Sequence, residues 1–145
     1  MNGFSLLECL VALIFVAIVA LAAVGSHTFG LHQYLTNSYI DQLVHDLAFA
    51  RQQAILRRTL VSLCPTLNFS ECADSNDWTA GYLVYAQADL LLIRKNSQGI
   101  LSNSRKLIEF APNGFSHSTN STFTYTLGEI ERHVIINLQG RIRVE

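Results

Sequence analysis

From Phe4 to Val24 the chain is apolar except at Ser5, Glu8 and Cys9, and from Cys9 to Ile40 it holds no Asp, Glu, Lys or Arg. A helix of those 21 residues rises about 30 Å, the thickness of a hydrocarbon core. The run is apolar on every face, unlike a core helix with one polar side. It is also longer than the apolar core of about 7 to 15 residues found in a secretory signal, and no Lys or Arg precedes it, although Ala22 and Ala23 offer small residues for a cleavage site. Beyond Gly25 the pattern changes: from Tyr39 onward apolar positions recur at Leu43, Leu47, Ala50, Ala54 and Ile55, close to helical spacing. One helix from about Ser5 to Arg58 is predicted, its second half turning an amphipathic stripe to a head. Gly25 and Gly30 are points where it can bend, each costing about 1 kcal/mol.

From Leu60 the period shortens. "LVSLCP", "GYLVYAQ", "LLLIRK", "KLIEFAP", "STFTYTL" and "HVIINL" are short runs of β-branched and aromatic residues punctuated by Asn, Ser, Gly and Pro, and they predict strands. Strands following one long helix indicate an α+β fold with an antiparallel sheet packed on that helix. In the last stretch, "HVIINLQGRIRVE", alternation through Val134, Ile136 and Leu138 predicts one buried face. Ile142 and Val144 continue it if the register survives Gln139-Gly140. Arg141 and Arg143 then project together from the other face, where two guanidiniums can each grip a phosphate and Gly140 leaves room for backbone approach. The alternative is a pair of solubilising charges on an edge strand.

Composition adds less than charge placement. The formal net charge of the 145 residues is −1, yet Arg94, Lys95, Arg105 and Lys106 fall in a stretch without acids, while Glu71, Asp74 and Asp77 crowd a short loop. A basic patch is therefore possible on a nearly neutral protein. His27, His32 and His45 lack metal-site spacing. Ser62, His45 and Asp46 supply the residue types of a hydrolytic triad, but no nucleophile elbow, phosphate loop or paired-carboxylate site accompanies them. The sequence is read as a non-enzyme with no cofactor, metal or small-molecule substrate, working by assembly and binding.

Glu8 is the residue that the membrane reading leaves awkward. Burying an acid in a bilayer costs about 2.5 to 3.5 kcal/mol on insertion scales, so a partner is expected. No basic side chain is near in sequence. Cleavage after Gly3 would supply a cation, the new ammonium of Phe4, able to neutralise Glu8 of a neighbouring subunit.

"GFSLLE" resembles the type III signal sequence of type IV pilins and type II secretion pseudopilins. The resemblance implies a type IV pilin-like fold, cleavage by a prepilin peptidase after Gly3, N-methylation of Phe4, and Glu8 as the acid that guides subunit assembly. The leader "MNG" departs from the family in being short and without a basic residue. The implied organisation is a leader at 1–3, a transmembrane and assembly half-helix at 4–29, and a head at 30–145. The implied location is the inner membrane, single-pass with the head in the periplasm, and then the fibre on the cell surface. Partners would be membrane lipid, the major pilin and other minor pilins.

In a head exported from the cytoplasm, Cys64 and Cys72, which bracket "PTLNFSE", suit a disulfide. The zinc alternative lacks two further ligands at finger spacing. "LCP", the second Cys, Trp78 and "GYLVY", with "DLAFARQQAILRR" and the terminal "GRIR", resemble the FimT/GspH family of minor pilins and pseudopilins. Trp78 and Tyr82 are then core or loop-packing residues. The Gly-Arg-x-Arg ending is similar to the DNA-binding motif of FimT minor pilins in natural transformation. That likeness implies non-specific DNA contact through phosphates by Arg141 and Arg143 beside Gly140, with Arg94, Lys95, Arg105, Lys106 and Arg132 extending the patch. Two other functions fit the family: a GspH-like pseudopilin of a type II secretion machine, and a minor pilin that only primes pilus assembly.

Overall fold

The computed structural model describes residues 6–96, 98–117 and 120–145. Gly3, Phe4 and Ser5, and with them the expected cleavage and methylation site, lie outside the described residues. The chain divides into two compact units, Met1–Leu35 and Thr36–Glu145.

Helix α1 runs from Leu6 to Arg57 through both glycines without a break. In the first unit Leu6, Leu7, Leu13, Phe15, Val19 and Leu21 are exposed, and Glu8 stands in the first turn, also exposed. Among the described residues, no helix is long and apolar enough to cross a membrane.

In the second unit α1 ends by a local rule. Arg58 adopts the left-handed region (φ 52°), and the amide of Thr59 donates to the Ala54 carbonyl at 3.3 Å. This is a Schellman cap with arginine where glycine is usual. Eight strands follow: β1 (Val61–Pro65), β2 (Gly81–Ala86), β3 (Asp89–Lys95), β4 (Ile100–Asn103), β5 (Ile108–Phe110), β6 (Ser121–Leu127), β7 (Ile130–Ile136) and β8 (Ile142–Val144). They form not one sheet but two antiparallel ones, ordered β3-β2-β1-β5 and β4-β6-β7-β8.

Register sorts the side chains. Leu63 pairs with Val84 and with Ile108, and Val61 with Ala86 and Phe110, so these residues share the face of the first sheet that meets α1. In the second sheet Leu101 pairs with Tyr125 and Phe123 with Val134. Both faces and the helix stripe Ile40, Leu43, Leu47, Ala50 and Ala54 belong to one core, and every member of it lies within Thr36–Glu145. The head thus carries its own core, each fully buried Leu, Ile or Phe contributing about 1.5 to 3 kcal/mol. Ile55, expected on the stripe, is exposed and stands beside Gly114 instead.

Trp78 and Tyr82 are buried. Trp78 meets Phe123 edge-on at 5.0 Å and donates through Nε1 to the Arg105 carbonyl at 3.2 Å. Tyr39 of α1 stacks on Tyr125 with centroids 4.3 Å apart.

On the opposite face of the first sheet, Cys64 pairs with Leu83. A disulfide joins Cys64 to Cys72 and holds the intervening loop over that face: Tyr85 Oη donates to the Ser70 carbonyl at 3.2 Å, and Leu83 is fully buried. The loop also organises itself. Thr66 Oγ1 accepts from the Phe69 amide and donates to the Glu71 carbonyl, at 2.9 and 2.7 Å.

Candidate nucleic-acid interface

The stretch expected to be one strand is a hairpin. β7 stops at Ile136, the chain turns through 137–140, and β8 returns antiparallel with Ile135 opposite Arg143 and Ile136 opposite Ile142. Two features break the strand. Gly140 adopts φ 71°, a left-handed conformation that glycine takes without strain. Asn137 closes the turn, its carbonyl accepting from the Gly140 amide at 2.9 Å and its side-chain oxygen from the Arg141 amide at 2.9 Å. Leu138 is therefore carried out of the expected buried face and is 52% exposed. Val134 and Ile136 stay in the core.

The hairpin still puts Arg141 and Arg143 on one side. Arg143 shares the face of Ile135, and both arginines line a shallow depression of about 150 Å³ with Ile135, Asn137 and Glu145. Both are exposed. Arg143 approaches Glu145 only loosely, at 4.0 Å, a surface contact of little energetic weight. Its guanidinium keeps donors for another anion.

Gly140 has a reason different from the one its spacing suggested. It is buried, and a Cβ there would press on the Gly114 carbonyl oxygen. Its missing side chain makes room for protein rather than for a ligand.

The other basic candidates are dispersed. Arg94 points into the head: Nε and Nη2 each donate to Asp46 at 2.7 Å, and Tyr82 Oη donates to the same carboxylate at 2.7 Å. The hydrogen bonds to Asp46, ahead of the opposing burial, hold the Arg94 guanidinium more firmly protonated than usual. Arg94 is a core-side ion-pair partner, with its fork already used. Lys106 is paired with Asp74 at 2.8 Å, and Lys95 lies over the Phe69 ring at 5.7 Å. Arg105 and Lys106 follow β4, at the edge of the second sheet opposite β8, about 14 Å away at the usual strand spacing. Arg132 alternates with Val134 and Ile136 on β7, so it projects from the face opposite Arg143. The structure gathers Arg141 and Arg143 and not the wider patch.

Sequence reasoning passed over Arg51. From α1 its Nε donates to the Gly114 carbonyl at 2.9 Å and its Nη2 to the Gln139 carbonyl at 3.3 Å. It also lines, with Arg141, a groove of about 500 Å³ between α1 and the hairpin whose floor includes Ile55, Leu56 and Ile142. The one signal was a long polar side chain beside the small buried residues Ala50 and Ala54.

Among the described residues no His, Cys, Asp and Glu group could hold a metal ion. The triad types are not assembled: Asp46 is committed to Arg94 and Tyr82, while Ser62 faces Glu109 at 3.4 Å.

Residues 40–140 match the family model described as type II transport protein GspH. No curated protein matches the sequence significantly. Among solved structures the chain is similar to the type IV minor pilin FimU of Pseudomonas aeruginosa in two crystal forms. One is 22% identical with a TM-score of 0.62, covering 75% of this chain and 91% of FimU. The other is 21% identical with a TM-score of 0.62, covering 75% and 87%. The long N-terminal helix packed on antiparallel sheet is thus the type IV pilin fold.

Proposed function

The chain belongs to the GspH family, and from that footing we propose that it is a minor pilin of a type IV pilus, of FimT type, that binds DNA without sequence preference and contributes to DNA uptake in natural transformation. The observation that carries this reading is the pair Arg141 and Arg143, exposed together on one face of the β7–β8 hairpin over a shared depression. Guanidiniums in that arrangement suit phosphate oxygens, which are the same in every sequence. In this reading a prepilin peptidase cuts after Gly3, Phe4 is methylated, residues 4–29 hold the protein in the inner membrane lipid, and Glu8 meets the ammonium of a neighbouring pilin during assembly.

The test is a salt-series mobility shift with the head, from about residue 30 onward, on random-sequence DNA. The expected result is binding that weakens with salt and is lost in the Arg141→Gln, Arg143→Gln double variant. A folded head that does not bind at low salt removes DNA from the reading.

A second reading has its own support, since the matching family model describes a type II transport protein. A pseudopilin would use the same hairpin against neighbouring subunits. Deletion of the gene distinguishes them: lost secretion marks the pseudopilin, lost piliation a priming pilin, and lost transformation with pili retained a DNA-capturing pilin.

A further inference from the structure

The arginine hairpin is short, sits at a sheet edge and buries no large side chain of β8: Ile142 is half-buried and Val144 exposed. Beyond its pairing with β7, contacts from outside the hairpin help to fix its direction. Three segments meet at the guanidinium of Arg51. From α1, Nε holds the Gly114 carbonyl and Nη2 holds the Gln139 carbonyl in the β7–β8 turn. The Ser116 amide donates to the Leu138 carbonyl at 3.0 Å, so the 111–117 turn and the hairpin turn are also joined directly. Gly140 and Gly114 each lack a Cβ where these segments close: one at Gly140 would collide with the Gly114 carbonyl oxygen, and one at Gly114 would come within 2.9 Å of Ile55 Cδ1 and 3.2 Å of Arg51 Nε. Two left-handed glycines and one planar fork make a junction that lysine does not fill, because its ammonium cannot present two donors in a fixed fork.

We infer that Arg51 is the positioning residue of the phosphate-binding hairpin. It bridges the helix to the turn so that Arg141 and Arg143 are held in place before the ligand arrives. The inference rests on the DNA reading above for what the hairpin holds, but not for the clamp itself. Preorganisation matters because ordering a loose, rotamer-rich side chain on binding costs affinity. Arg51 acts through the hairpin: two of its five N–H donors are spent on carbonyls and it is half-buried, and the inference assigns it no phosphate contact of its own.

The test uses heads carrying Arg51→Lys and Arg51→Gln. Amide exchange is read at Gly140 and Arg141, the two donors that close the turn, relative to Leu63 and Val84 in the paired strands β1 and β2. Turn exchange at least about tenfold faster than the β1–β2 reference would show that Arg51 secures that local opening. The dissociation constant for random-sequence DNA should rise about fivefold to tenfold in both variants. The salt slope of Arg51→Lys should match wild type, because no phosphate contact is lost. Exchange that rises equally everywhere, or not at all in the turn, overturns the inference. So does full affinity in Arg51→Lys. A salt slope reduced by about one with the turn unchanged would instead make Arg51 a direct phosphate contact. If the wild-type head binds no DNA, the DNA reading falls while the exchange comparison still decides whether Arg51 holds the hairpin.

Discussion

Asp46 has 2% of its side chain exposed, and its three short hydrogen bonds come from Arg94 and Tyr82. A carboxylate so placed is tolerable only while its partners remain. Arg94→Ala should lower unfolding stability by about 3 to 5 kcal/mol, read as a lower urea midpoint at neutral pH. Replacing Lys95, whose contact is a surface one over Phe69, should change it by less than about 1 kcal/mol. The neighbouring phenols respond to base. Burial, then the nearby Asp46 charge, pushes the Tyr82 hydroxyl well above its ordinary value of 10.0. Burial, then Tyr125, does the same to Tyr39. The folded chain therefore keeps protons that the unfolded chain releases above about pH 10. Stability from these groups is fully present below that pH and falls as pH rises beyond it. Urea midpoints taken at about pH 8 and about pH 11 should show the fall, and Tyr39→Phe should make it smaller. Among the described residues, the Tyr39 hydroxyl is also buried without a hydrogen-bond partner. At neutral pH, Tyr39→Phe should thus hold or raise stability, by up to about 1 kcal/mol, where truncation of the stacked ring to alanine should cost several.

At the scale of elements, the disulfide and the glycine turn are the two devices that local packing does not replace. Removing the Cys64–Cys72 link, whose cysteines are 8 apart in sequence, should cost about 2.5 kcal/mol on the loop-entropy argument and let the 66–71 loop lift from Leu83. A double Cys→Ser head compared by thermal unfolding with and without reductant checks this, since only the wild type should respond to reductant. Gly140→Ala places a methyl against the Gly114 carbonyl at φ 71° and should cost about 1 to 3 kcal/mol. It should also loosen the arginine pair. The elements were legible where periodicity ran long. The helix, expected from Ser5 to Arg58, spans Leu6–Arg57, and the runs around β1, β2, β3, β5, β6 and β7 form strands. β4 was missed because its four residues, Ile100–Asn103, alternate too briefly to signal a period. The final strand was misread because hydrophobic alternation cannot show a chain reversal. Val134, Ile136, Ile142 and Val144 keep the same parity whether Gly140 lies within a strand or ends a turn. Charge clusters in sequence misled for a related reason: Arg94 and Lys95 are adjacent, yet on a strand adjacent residues face opposite ways.

For the whole molecule, the proposed DNA contact through two arginines on a head of near-zero net charge implies weak, salt-sensitive attachment. With two phosphates neutralised, log affinity should fall with log salt at a slope of about −1.8, far shallower than for a dedicated DNA-binding protein. Useful retention then requires several heads along one fibre. A tethered array of heads should hold DNA at a salt concentration where the single head has released it, and equal retention by both would exclude that role for multiplicity. On the proposed reading, incorporation into the fibre depends on the other unit. Glu8→Ala should leave membrane association intact and reduce the fraction of protein recovered in sheared fibres, with no change in the melting of the isolated head.

Among the described residues, the hairpin that carries the arginines buries no side chain after Ile136, only the backbone of Gly140. On the proposed reading, its outward positions answer to the ligand more than to the core. Substitutions there escape the packing constraint that holds Leu43, Leu47 and Trp78 in place, so on that reading the grip on nucleic acid can be altered while the head stays folded. The fold shared with FimU at 21% to 22% identity therefore speaks for architecture, and on the proposed reading the cargo is decided by the few side chains outside that core.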